Sequence, residues 1–289
     1  MIKIKQFIIV ALVAGVIYAC SGSGGETVEE FDHAAQAVID NDSLVKFLTN
    51  HYYDMTKDSI KPLKAGETAL IDDVKLKTKD VVENEIDFKL YYYVINEGTP
   101  DPVKGFPTIM DSVLTSYRGV YLDNTTDEVS FESNLTTWFT LAGVVRGWTE
   151  SFIHFKGGKN ITNNGPITFE NHGKGIVFIP SGLGYRNLVQ GNIPENSSLI
   201  FYFDLLDIKE DTDHDIDGVP SIFEDPDGDG NPLNDDTDED GTANFLDNDD
   251  DGDGVPTIKE DANNDGDPRN DFSDPANPNL PDYLNPNIK

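Results

Sequence analysis

The 289-residue chain carries 53 Asp and Glu against 21 Lys and Arg, a net charge of -32. This excludes the basic footprint that nucleic-acid binding requires. A single cysteine, Cys20, excludes intrachain disulfides. The charge is uneven: residues 210–274 hold 25 acidic side chains and two basic ones, Lys259 and Arg269, which places a domain boundary near Lys209.

Residues 1–19 read as an export signal. Lys3 and Lys5 precede an apolar run over 7–16 that is too short for a comfortable membrane span. Ala19-Cys20, followed by Ser-Gly-Ser-Gly-Gly, resembles a bacterial lipobox, which implies lipidation at Cys20 and a flexible tether over 20–33. An N-terminal extension is expected over 34–87. In its first part Val38, Leu44, Val45, Leu48 and Tyr52 fall at helical spacing, with Asp42-Ser43 as a cap. His51 has no neighbouring ligand cluster and is expected to serve packing or the surface.

Residues 78–95 read as strand, ending in the aromatic run Phe88-Lys-Leu-Tyr-Tyr-Tyr-Val-Ile95. A second strand is expected over 112–122, interrupted near Arg118-Gly119, and a short third over 139–141. Trp148, Phe152 and Phe155 form the stripe of a short helix that Gly157-Gly158 ends. Residues 176–179 and the alternating segment 199–206 complete the sheet. One helix across a mostly antiparallel sheet is an α+β arrangement.

Several landmarks along this domain occur in a telling order. Tyr117 stands in Tyr-Arg-Gly and Phe131-Glu132-Ser133 follows. Val144-Val145-Arg146-Gly147-Trp148 comes next, then Gly184-Tyr185, Ile193-Pro194 and Phe201. The set resembles the FKBP-type peptidyl-prolyl isomerases over residues 88–209. The resemblance implies an antiparallel sheet wrapped on one short helix. It also implies a proline pocket of Tyr117, Phe131, Glu132, Val144, Val145, Trp148, Tyr185 and Phe201, with Trp148 as floor and the Tyr185 hydroxyl on a substrate carbonyl. Glu132 replaces the family's usual Asp. The register near Thr137, Trp138 and Phe139 is open, and 160–174 reads as an insertion. Catalysis of this kind needs no cofactor.

The acidic segment repeats a 12-residue pattern. Asp213, Asp215 and Asp217 precede Gly218 and close at Glu224; Asp225, Asp227 and Asp229 precede Gly230 and close at Asp236. Asp236, Asp238 and Asp240 precede Gly241 and close at Asp247; Asp249, Asp251 and Asp253 precede Gly254 and close at Glu260. A weaker copy begins at Asp261. Oxygen ligands at places 1, 3, 5 and 12 with glycine at 6 are the spacing of a calcium loop. Copies recur too closely for flanking helices, and the segment resembles thrombospondin type 3 repeats. The expectation is an extended tail over 210–274 that compacts on structural Ca²⁺, with a Pro/Asn-rich end over 275–289.

The combined expectation is a lipid-anchored envelope protein, periplasmic or at the outer membrane or cell surface, that isomerises X-Pro bonds of exported proteins. A non-catalytic peptide-binding scaffold or adhesin with a calcium-stiffened tail is the alternative.

Overall fold

The computed structural model describes residues 31–123 and 127–289; the expected signal, Cys20 and most of the tether lie outside them. Helix α1 spans His33–Asn50. The Asp32 side chain caps it by accepting from the Ala35 N–H at 2.8 Å. The helix thus starts ten residues before the expected cap, and Asp42-Ser43 lie inside it. Strands β1 (His51–Asp54) and β2 (Ser59–Pro62) form a hairpin. The main strands are β3 (Leu76–Glu83), β4 (Ile86–Asn96), β5 (Ser112–Asp123) and β6 (Asp127–Thr140). Then come α2 (Arg146–Phe152), the two-residue strands β7 (Lys159–Asn160) and β8 (Phe169–Glu170), β9 (Gly173–Ile179) and β10 (Leu199–Lys209).

The six-stranded antiparallel sheet runs β3-β4-β9-β10-β5-β6. It begins at Leu76 rather than at residue 88. The single strand expected over 78–95 is a hairpin, which turns at Asn84 and Glu85, both with positive φ. β5 continues through Gly119 with register shifts at Thr115/Tyr117 and Gly119/Val120. The third strand is the 14-residue β6 rather than a short segment. α2 stops at Phe152, before Gly157-Gly158, and Phe155 is buried in the turn beyond.

Both faces of the sheet are covered, where a single helix was expected. On one face Leu199, Phe201, Phe203 and Leu205 of β10 meet Trp148, Phe152 and Phe155. On the other, Ile200, Ile176, Phe178, Tyr91 and Tyr93 meet Leu44, Phe47 and Leu48 of α1. Strands buried on both faces read as continuous apolar runs, which explains the unbroken aromatic stretch in β4. The Tyr91 and Tyr93 hydroxyls stay satisfied, donating to Asn41 (2.8 Å) and Asp73 (2.7 Å). Asp40 of α1 is buried and accepts from the Ser181 backbone and hydroxyl at 2.7 and 2.6 Å, tying the helix to the loop before Tyr185. His51 is a core residue, stacked on Phe47 at 4.0 Å.

Gly147 lets α2 lie directly on the sheet, because a Cβ there would come within 2.4 Å of Ile179 Cγ2. Gly147→Val is therefore expected to lower unfolding free energy by about 1–3 kcal/mol through overpacking. Chemical denaturation will check this as a shift in midpoint without a change in slope.

The acidic segment is not extended. It folds back so that Val219 meets Tyr283 and Leu284 of the C-terminal end, and residues 32–289 form one unit. The loops beginning at Asp213, Asp236 and Asp249 are each closed by a buried polar side chain at place 9. The Ser221, Asn244 and Thr257 backbone N–H groups donate to Thr212, Asp235 and Asn248 carbonyls at 2.8–3.0 Å. Their side chains accept from the N–H groups at place 2, those of His214, Thr237 and Asp250. Asp282 repeats the device opposite Asp271 and Ser273. The Pro/Asn-rich end thus supplies closing parts of the repeat fold.

Candidate functional site

The aromatic cluster is assembled by strand pairing. β10 sets Phe201 opposite Gly119 and Phe203 opposite Tyr117, and β6 sets Glu132 opposite Gly119. The glycine is required: a Cβ at Gly119 would lie 2.4 Å from Phe131 and 2.9 Å from Phe201. Freed of that Cβ, Phe131 and Phe201 meet edge to face, with centroids 5.6 Å apart.

Trp148 sits in the first turn of α2, where its N–H donates to the Val145 carbonyl at 2.8 Å. Its side chain is only 4% exposed. Tyr117, Phe201 and Phe139 approach it edge to face at 4.9, 5.1 and 5.3 Å, and Phe152 stacks beneath at 4.8 Å. These offset geometries are the favourable ones for aromatic rings. Val144 and Val145 are half-buried against the same cluster. The Trp148 indole N–H is buried without a hydrogen-bond partner.

Tyr185 follows a 3₁₀ turn over Ser181–Leu183. Its loop is held by the Arg186–Glu83 ion pair at 3.0 Å and by the Asn196 N–H donating to the Arg186 carbonyl at 2.8 Å. Burial, then the Glu132 charge, raises the Tyr185 pKa. Burial, then a hydrogen bond with Glu132, raises that of Tyr117. Both hydroxyls therefore stay protonated donors at neutral pH.

All eight residues expected from sequence lie at this cluster. Phe139 was not singled out and joins it, whereas its neighbour Trp138 is exposed. The signal was the open register in β6; two register shifts against β5 decide which aromatic faces inward. Glu83 and Arg186 had no sequence signal, since their pairing spans 103 positions. Two wider clefts, about 710 Å³ beside Asp80, Asp87 and Lys89 and about 780 Å³ beside Lys104 and Trp138, are lined by charged groups away from the cluster.

In the acidic segment the position-6 glycines Gly218, Gly230, Gly241, Gly254 and Gly266 all take positive φ. Each N–H donates to the carboxylate at place 1 at 2.7–3.2 Å. The oxygens of Asp213/Asp215/Asp217, Asp225/Asp227/Asp229, Asp236/Asp238/Asp240 and Asp249/Asp251/Asp253 converge within 4.8 Å in each group. The charges at Asp251, Asp253 and Asp249 bear on Glu260, and those at Asp240 and Asp238 on Asp247, as the spacing requires. One assignment changes. Buried Asp235, not Asp236, faces Asp227, Asp225 and Asp229, while Asp236 belongs to the next loop. The doublet offered both residues, and the place-9 closure at Asn244 orients the first. Asp215, Glu224 and Glu260, among others, bury carboxylate oxygens with no hydrogen-bond partner. Buried unpaired carboxylates are costly, and hard oxygen donors of this kind suit a divalent cation such as Ca²⁺.

A family described as BamM C-terminal matches residues 214–285; the thrombospondin type 3 resemblance rests on loop spacing alone. Over 194 residues, 59% of this chain, the sequence is 28% identical to the FKBP-type peptidyl-prolyl cis-trans isomerase FkpA of Escherichia coli (strain K12), covering 65% of that protein. The FkpA of Aeromonas hydrophila is 27% identical over 187 residues, 64% of this chain and 61% of the relative. The chain thus spans less than two thirds of the length of these curated relatives. The crystal structure of FkpA from Escherichia coli is 29% identical, with a TM-score of 0.35 over 48% of this chain and 53% of that one.

Proposed function

We propose that the chain is an FKBP-type peptidyl-prolyl cis-trans isomerase acting on X-Pro bonds of exported proteins in the cell envelope. Its membrane attachment is through lipid at Cys20, and its C-terminal tail is braced by Ca²⁺. The observation that carries the catalytic reading is Trp148 ringed by Tyr117, Phe139 and Phe201, with Tyr185 packed against the same cluster. The similarity to curated isomerases over more than half the chain supports it.

The reaction rotates an amide against a barrier of about 20 kcal/mol, which makes the uncatalysed process take tens to hundreds of seconds. It needs no nucleophile. It needs a site that holds the twisted amide more tightly than the planar one. The rings grip pyrrolidine by apolar contact and exclude water. The twisted amide carries less charge on oxygen, so an apolar surround favours it. The Tyr185 hydroxyl, kept protonated by burial, fixes the peptide by donating to a carbonyl.

The test is isomerisation of a panel of X-Pro peptides by the protein from Ser21 to Lys289. Acceleration is expected, with Tyr185→Phe lowering kcat/KM about tenfold while leaving the fold intact, the worth of about 1.4 kcal/mol of differential binding. A folded protein that accelerates none of the peptides would overturn the enzyme in favour of a peptide-binding scaffold.

A further inference from the structure

Asp250 occupies place 2 of its loop, a position that supplies no ligand in the 12-residue pattern. It is nevertheless 1% exposed, as is Asp217, and Glu224 is 0% exposed. One carboxylate oxygen from each of the three converges within 4.8 Å. Thr257 orients Asp250 by donating to its Oδ2 at 3.1 Å, and the Asp250 Oδ1 has no partner. Both Glu224 oxygens and Asp217 Oδ2 lack a well-formed hydrogen bond, with the Ser221 hydroxyl the donor close to Glu224. The nearby Ser221 hydroxyl is engaged by His214 at 2.8 Å. Among the described residues no Lys or Arg forms an ion pair with any of the three.

We infer that Asp217, Glu224 and Asp250 form a buried divalent-cation site that ties the first loop to the loop beginning at Asp249. The inference rests on the calcium reading of the tail and adds a ligand outside the repeat pattern. Three buried carboxylates without a counter-charge are strongly unfavourable. Ligand oxygens around Ca²⁺ lie about 2.3–2.6 Å from the ion, and the three carboxylate oxygens are close enough together to share one ion. Loop 1 already contributes Asp217 and Glu224 to its own cation; Asp250 makes binding depend on a segment 26 residues beyond Glu224. Occupancy then links closure of the first repeat to closure of the fourth. Tyr283 is buried beside the site, close enough for the charges on Asp250, Glu224 and Asp217 to bear on its hydroxyl.

Calorimetric Ca²⁺ titration of the protein from Ser21 to Lys289 tests this. Asp250→Asn keeps the Thr257 hydrogen bond and is expected to lose one equivalent or to weaken the tightest sites at least tenfold. Asp229→Asn, in the second loop with Asp225, Asp227 and Asp235 rather than with the trio, reports on the tail reading alone. If Asp250→Asn binds like wild type while Asp229→Asn weakens, the inter-loop site is wrong and the calcium tail stands. If wild type binds no Ca²⁺, both fall. A second measurement needs no change at the ligands. Tyr283 is the only tyrosine or tryptophan after residue 209, so Tb³⁺ bound at the trio is sensitised through it. Tyr283→Phe is expected to reduce excited Tb³⁺ emission severalfold, and unchanged emission overturns the site even if Asp250→Asn fails to fold.

Discussion

Trp148→Ala is expected to reduce isomerase kcat/KM by about 100-fold, roughly 2.7 kcal/mol of transition-state binding. It is also expected to lower unfolding free energy by about 3–5 kcal/mol. The two losses have different origins. The stability term comes from a cavity among Tyr117, Phe139, Phe152 and Phe201, which together surround the indole. The catalytic term comes from removing the surface on which the proline ring would rest. Domains of this size hold only about 5–15 kcal/mol in reserve, so the alanine variant needs assay at low temperature. Trp148→Phe separates the effects. It keeps an apolar ring and removes an indole N–H that has no partner, so its stability cost is expected to be well below that of alanine. Denaturant unfolding beside peptide kinetics provides the check. Full activity in a folded Trp148→Ala protein would move the active site away from this cluster.

Chelating divalent cations is expected to open the acidic segment, with the largest effect at alkaline pH. Without a cation, burial and then neighbouring carboxylates push Glu224 up to about 10 and Asp215 and Glu260 to about 8. Burial and then Asp217 push Asp250 to about 9. Their folded pKa values exceed those of the unfolded chain, so the folded state binds more protons through the intervening range. The stability these groups permit is complete below the ordinary carboxylate range, near pH 4, and is lost as pH rises through about 8–10. In chelator the segment is therefore more protease-resistant and more compact at pH 5 than at pH 9. With saturating Ca²⁺ the order reverses, because the cation displaces these protons and binds more tightly as pH rises. Small-angle scattering and limited proteolysis at both pH values will read the crossover. A chelated segment equally compact at pH 5 and pH 9 would contradict the account.

The aromatic cluster was largely legible along the chain because its members keep a fixed order. Phe139 was not, since a one-residue shift in β6 exchanges the buried and exposed faces, and Trp138 and Phe139 are both aromatic. The second covered face was half visible in the unbroken run from Phe88 to Ile95, but only α1 shows what covers it. The β3–β4 hairpin is not evident in residue order because Asn84-Glu85 is a weak turn signal beside Asn-Gly.

The calcium-loop spacing illustrates the division most clearly. Places 1, 3, 5 and 6 follow from local backbone geometry: one tight turn brings nearby carboxylates together, and glycine alone takes its positive φ at little cost. Residue order by itself therefore determined the repeats, the aromatic set apart from Phe139, and the acidic boundary. The choice of Asp235 over Asp236, the Glu83–Arg186 anchor of Tyr185, the compaction through Val219 and Tyr283, and the approach of Asp250 to Glu224 were decided by tertiary structure. Each joins groups whose meeting depends on how whole loops and strands close, and no local period encodes that closure.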